Sequence, residues 1–332
     1  MTPSTPPLPR EIQVEVTGAC NLRCRMCLVR YRPALDRQSA GLSLEAFKHL
    51  VDGLPELSVV TLQGLGEPLL APHLVEMVEH TAARGCRVGF NTNATLLTRR
   101  RAERLVRAGL GWLHVSVDGA TAATYESIRD GARFERVAAH VRDLVDVTRV
   151  LGAGRPELSL VFVAMRRNVS ELPALVRLTR EWGVGRLRVQ NLSHSFSDTD
   201  PAGSYQEIRD FAAREALWDD GEDAAPVFAE ARRLATELGV DLRLPRLAQA
   251  PPPAAGEPGC DWPWRSAYVT HLGTVQPCCM LMGGDRAILG DLSEASFPEI
   301  WEGTAYREFR AALLTPAPPD VCRGCAMYRR VF

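Results

Sequence analysis

The apolar positions of this chain change period along its length. Short runs rich in β-branched and aromatic residues, at 12–16, 59–63, 87–91, 112–117, 157–164 and 186–191, alternate with longer stretches. In those longer stretches, at 44–54, 72–84, 99–108, 134–151 and 171–182, apolar residues recur at helical spacing. The short runs predict strands and the long ones amphipathic helices. Gly85, Gly109 and Gly183 stand where three of the helices stop, each suited to a left-handed carboxyl-terminal cap. Six strands, each followed by a helix or loop, predict an α/β fold with a parallel sheet, forming a barrel or part of one. Further on, 193–225 lacks clear periodicity and reads as a long loop at the barrel mouth. Residues 228–238 read as another helix, ended by Gly239, and 240–244 as a strand. The run at 251–256, three prolines, two alanines and a glycine, is a linker by composition. The expected domains are a flexible leader over 1–10, a barrel over 11–248 and a small auxiliary domain over 249–332.

Polar signatures collect at one end of this map. A cysteine-bearing stretch follows the first strand, and Gly64-Leu65-Gly66-Glu67-Pro68 follows the second. Thr92-Asn93 ends the third strand, Ser116 and Asp118-Gly119 end the fourth, and Asn168 follows the fifth. These are carboxyl ends of strands, where barrel enzymes build active sites from βα loops.

The first cysteine stretch reads Cys20-Asn21-Leu22-Arg23-Cys24-Arg25-Met26-Cys27. Three thiolates on one loop can hold three irons of a [4Fe–4S] cluster and leave the fourth iron open to a substrate. Structural zinc usually draws four ligands from separated pairs. Disulfides are unexpected here, because 1–10 is too polar for a signal peptide. Beyond the linker stand Cys260, Cys278, Cys279 and the pair Cys322 and Cys325. Four of these could close a cluster completely, and by spacing alone they suit a tetrahedral zinc site equally well.

Bulk composition mainly excludes. Forty acidic against 39 basic residues in 332 leave a net charge of −1, so nothing points to nucleic acid or a membrane surface. No apolar run approaches the roughly 18 residues of a membrane helix. Nine cysteines without an export signal argue for metal ligation in a reducing cytoplasm.

CxxxCxxC with a bulky residue, Met26, before the last cysteine resembles the signature of the radical S-adenosylmethionine superfamily. The resemblance implies a partial (β/α)6 TIM-like barrel whose open iron chelates the amino and carboxylate groups of S-adenosylmethionine. It also implies reductive cleavage of that cofactor to a 5′-deoxyadenosyl radical, which abstracts hydrogen from an unactivated C–H bond. Gly66, Glu67 and Pro68 then resemble the family's glycine–glutamate motif, in which backbone and carboxylate meet the methionyl ammonium. Asn93 and Ser116 fit positions that hydrogen-bond the ribose or the methionyl carboxylate, and Asn168 is a further candidate for the cofactor. Asp118 reads instead as the cap of a helix beginning near Thr121, and 99–101 as a solvated helix face.

The carboxyl-terminal cysteines carry a second resemblance. Cys260-Asp-Trp-Pro-Trp-Arg-Ser, His271-Leu-Gly273-Thr-Val-Gln-Pro-Cys278, the stretch 289–310 and Cys322-Arg-Gly-Cys325 look like the auxiliary-cluster domain called SPASM or, in its short form, twitch. It implies an auxiliary [4Fe–4S] cluster on Cys260, Cys278, Cys322 and Cys325. One such cluster is expected, since no cysteine follows Cys325. Cys86 reads as a small buried hydrophobe. Cys279 is open to three roles: ligand in place of Cys278, packed thiol, or hydrogen donor to a substrate radical.

By analogy the expected substrate is a small polar metabolite, a sugar, aminocyclitol or nucleoside of antibiotic biosynthesis, which is oxidised, epimerised or decarboxylated. The analogy leans on ten residues before the first strand, which leave no room for a leader-peptide-binding domain. The alternative is a maturase of a peptide or protein. A non-catalytic iron–sulfur or zinc module is a further alternative, which the intact Glu67, Asn93 and Ser116 positions oppose. A flavodoxin- or ferredoxin-type reductant is the expected electron source.

Overall fold

The computed structural model describes residues 6–31, 41–218, 223–248, 257–281, 283 and 285–332. The expected linker at 251–256, residues 1–5 of the expected leader and 219–222 of the expected loop lie outside the described residues.

Seven strands lie side by side in chain order and run parallel: β1 (Glu11–Val14), β2 (Val59–Thr61), β3 (Arg87–Thr92), β4 (Trp112–Ser116), β5 (Glu157–Val163), β6 (Arg186–Gln190) and β7 (Asp241–Arg243). Helices return the chain between them. They are α1 (Leu44–Asp52), α2 (Leu74–Ala83), α3 (Arg99–Arg107), α4 (Ala122–Ile128), α5 (Phe134–Val150), α6 (Leu172–Glu181), α7 (Gln206–Glu215) and α8 (Ala224–Leu238). Alternating residues of each strand divide the environments. Ile12, Val14, Val60, Val88, Phe90, Leu113 and Val115 join the apolar core. Gln13, Asn91, His114 and Ser116 occupy the alternate positions, so the other face of the sheet is polar.

Gly85, Gly109 and Gly183 have φ of 78°, 88° and 77°, the left-handed conformation expected after α2, α3 and α6. The 193–225 segment differs from a plain loop, because α7 forms within it. Its buried side chains, Ile208, Phe211, Ala212 and Glu215, recur at helical spacing. Polar neighbours and a charged residue on the buried face mask that periodicity in the sequence.

The carboxyl-terminal segment continues the same sheet. Strand β8 (Ser266–Val269) pairs parallel to β1, and β9 (Thr274–Gln276) and β10 (Gly290–Asp291) follow antiparallel. Pairing with β8 covers the edge that β1 would otherwise expose. The sheet stays open between β7 and β10, as a partial barrel does. Among the described residues no helix is long and apolar enough to cross a membrane.

Candidate functional site

The chain leaves β1 through Glu15 and enters the cysteine loop. The loop is pinned to the end of α4: the Arg23 amide donates to the Asp130 carbonyl at 3.0 Å and the Arg25 amide to Ile128 at 2.9 Å. A turn closes where the Cys27 amide meets the Cys24 carbonyl at 3.1 Å. Cys24 is buried, and Cys20 and Cys27 are partly so. Burial pushes the Cys20 thiol up to about 11 and Cys27 to about 12, and raises Cys24 as well. Thiolates crowded into such a site need a nearby positive charge, which bound iron supplies. The donor set therefore fits a cluster.

The Gly64–Pro68 loop lies directly on the cysteine loop. The Glu67 amide donates to the Ala19 carbonyl at 2.8 Å, and a Cβ at Gly66 would fall 2.0 Å from the Thr17 carbonyl oxygen. Only glycine permits that approach. The fully buried Glu67 carboxylate accepts the Thr92 hydroxyl at 2.6 Å, the Asn93 amide at 2.8 Å and the Leu69 amide at 3.1 Å. Burial raises its pKa against these bonds. Three of about four acceptor positions are thus filled by the protein itself. Glu67 braces the end of β3, a role the sequence did not suggest.

Asn93 bonds Asn21 of the cysteine loop at 3.0 Å and accepts from Thr95. Asn21 was missed in the sequence, although its place between two ligand cysteines marked it. Ser116 ends β4 on the polar face, half-buried. Met26 packs between two apolar clusters. Two expectations change. Asn168 is turned inward: its oxygen accepts the Met165 amide at 2.8 Å, and its nitrogen donates to the Asp118 and Val163 carbonyls. It clamps the β5–α6 loop and offers no donor to a cofactor. Asp118 caps no helix; Thr121 caps α4, and Asp118 pairs with Arg129 at 2.6 Å.

A cavity of about 390 Å³ opens beside these loops. Leu28 and Tyr31 wall it from the cysteine loop, Leu65 from the glycine loop, and Tyr268, His271 and Leu272 from the carboxyl-terminal segment. At its wall the buried Glu15 carboxylate accepts the Leu65 amide at 2.6 Å, the Tyr268 hydroxyl at 2.7 Å and the His271 Nδ1 proton. Burial opposes the Glu15 charge, but His271, Leu65 and Tyr268 outweigh it and hold the carboxyl below its usual range. Glu15 lies outside the motifs and His271 opens the SPASM-like stretch; β1–β8 pairing brings them together.

Cys260, Cys278, Cys322 and Cys325 line a second, nearly filled cavity. Among the described residues no three His, Cys, Asp or Glu converge on a single-ion site. Cys279 opens a short 3-10 turn and is not on that wall. His194 ties this region to the barrel: its Nε2 donates to Val321 at 2.6 Å, and its backbone bridges to Cys325. Cys86 is buried, its thiol donating to the Leu57 carbonyl at 3.1 Å.

Residues 14–156 match the family model described as the radical SAM superfamily, and 260–326 the SPASM iron–sulfur cluster-binding domain. A tungsten-containing aldehyde ferredoxin oxidoreductase cofactor-modifying protein of Pyrococcus furiosus is 25% identical, covering 95% of this chain and 87% of its own. The PqqA peptide cyclase of Gluconobacter oxydans is 28% identical, covering 99% and 86%. Streptococcus suis SuiB, solved with its precursor peptide SuiA, superposes with a TM-score of 0.69 at 15% identity, over 97% of this chain and 70% of that one. These findings overturn the expectation of a small sugar, aminocyclitol or nucleoside substrate. The Gluconobacter relative, which matches 99% of this chain, is named a peptide cyclase. Antibiotic biosynthesis, epimerisation and decarboxylation are left without support.

Proposed function

Because this chain belongs to the radical SAM superfamily and carries a SPASM iron–sulfur domain, we propose that it is a maturase, an enzyme that modifies a peptide or protein substrate. Similarity to a peptide cyclase over 99% of the chain carries this reading. The cavity supports it. At about 390 Å³ it lies within the range of ligand pockets, and it admits one or two side chains of a longer chain passing over the mouth.

Cys20, Cys24 and Cys27 would hold the first [4Fe–4S] cluster, and Cys260, Cys278, Cys322 and Cys325 the auxiliary one. When bound, the first cluster and S-adenosylmethionine supply a 5′-deoxyadenosyl radical able to take hydrogen from a C–H bond. The residues of this chain bind and orient. Gly66 brings its backbone against the cysteine loop. Ser116 presents a hydroxyl at the end of β4, and Asn93 joins Glu67 to Asn21. A flavodoxin- or ferredoxin-type protein would deliver the electron.

The test is anaerobic incubation of the reconstituted protein with dithionite, S-adenosylmethionine and precursor-type peptides, read by mass spectrometry. A peptide whose mass falls by the hydrogens removed, with 5′-deoxyadenosine formed in step, supports the reading. Deoxyadenosine formation that rises with sugars or nucleosides and with no peptide overturns it.

A further inference from the structure

Among the described residues, the cysteine loop has a buried cationic neighbour. Arg129 follows α4 and is 8% exposed; its Nη1 lies 3.8 Å from Cys24 Sγ, within hydrogen-bond reach of a sulfur acceptor. Its Nε donates to Asp118 Oδ2 at 2.6 Å, and Asp118 is wholly buried. The other Asp118 oxygen accepts the Val163 amide at 2.8 Å, so the carboxylate cannot swing. Asn168 holds the Asp118 carbonyl, and the Arg23 and Arg25 amides fasten the cysteine loop to residues 128–130. The guanidinium is therefore fixed relative to Cys24 from both sides. The pair presents its positive end to the sulfur and its negative end away from it. Tyr125 adds a buried hydroxyl without a hydrogen-bond partner among the described residues, on the same helix.

We propose that Arg129 sets the reduction potential of the cluster held by Cys20, Cys24 and Cys27, with Asp118 as the residue that positions it. Cluster potentials respond to local charge and to hydrogen bonds on the ligand sulfurs. Reduction adds one electron to the cluster. A fixed cation beside Cys24 stabilises that added charge, strongly so where water is excluded, and makes the cluster easier to reduce. The proposal rests on these three cysteines being the ligands, which iron content checks separately.

The experiment is an EPR-monitored redox titration of the reconstituted holoenzyme without S-adenosylmethionine. The signal whose shape changes on later addition of that cofactor identifies the first cluster. Arg129→Gln should retain iron and shift the midpoint to more negative potential, while Arg129→Lys keeps most of the wild-type value. Asp118→Asn should shift it the opposite way, because the guanidinium then stands uncompensated. A merely structural role would move Arg129→Gln and Asp118→Asn together. Shifts of the same sign, no shift, or a shift seen only with S-adenosylmethionine bound would overturn the proposal. If Arg129→Gln loses iron, Asp118→Asn still decides: a shift to more positive potential supports the proposal, and no shift or a negative one overturns it. Wild-type protein without iron would instead refute the ligand assignment.

Discussion

Glu67 and Thr92 meet in a buried 2.6 Å hydrogen bond that joins the glycine loop to the end of β3. The same carboxylate takes the Asn93 and Leu69 amides, one on each oxygen. Glu67→Gln therefore turns an amide donor toward a backbone N–H in either orientation. An unpaired buried donor costs about 1–3 kcal/mol, expected as a lower urea midpoint of the anaerobic holoprotein. A midpoint equal to wild type would show that the carboxylate is not a brace.

Asn168 should behave as a clamp. Asn168→Ala leaves the Met165 amide and the Asp118 and Val163 carbonyls short of partners, so stability should fall by roughly 1–3 kcal/mol. Affinity for S-adenosylmethionine, measured by equilibrium dialysis, should change little at temperatures where the variant is folded. A selective loss of affinity with unchanged stability would return Asn168 to the cofactor.

Cys278 and Cys279 are adjacent in sequence and both lie near the auxiliary cysteines. Burial raises the Cys279 thiol, and Cys325 and Cys260 are close enough for their charges to raise it further. Only Cys278 shares the cavity of Cys260, Cys322 and Cys325. Cys278→Ser should lower iron content per chain, whereas Cys279→Ser should leave it at the wild-type level. The reverse result would exchange their roles.

His114 gives the fold a pH dependence. Burial first, then Arg188 and Arg87, hold its pKa down at about 4, against 6.5 for the free side chain. As pH falls below about 6.5 the unfolded chain takes up the proton and the folded one does not. Stability is therefore complete above that value and is lost on the way down toward 4. The loss should reach about 2 kcal/mol by pH 5. His114→Gln should flatten the urea midpoint between pH 7.5 and 5. A slope of the same sign remains, because buried His194 is also depressed. An unchanged slope in the variant would place the titration elsewhere.

Much of this was readable because it is local. The strand and helix periods, the capping glycines and the position of each polar motif depend on near neighbours along the chain. The three cysteines of one loop must lie close wherever that loop goes. Side-chain direction was harder to read. Asn168 and Asp118 each sat in the expected loop, yet their polar atoms went to backbone groups and to Arg129 rather than to the expected partners. Such choices depend on which donors a buried carboxylate or amide meets first.

The sequence by itself determined the parallel α/β fold and the loops that carry the chemistry, because period and spacing encode them. For the carboxyl-terminal cysteines, a cluster rather than zinc came from resemblance alone. The tertiary structure alone decided that β8 joins β1, which seats His271 on Glu15 over 256 positions and shapes the cavity between the two regions. It alone put Arg129 against Cys24, 105 residues away. Contacts of that range are made by the packing of whole elements, and no short stretch of sequence specifies them.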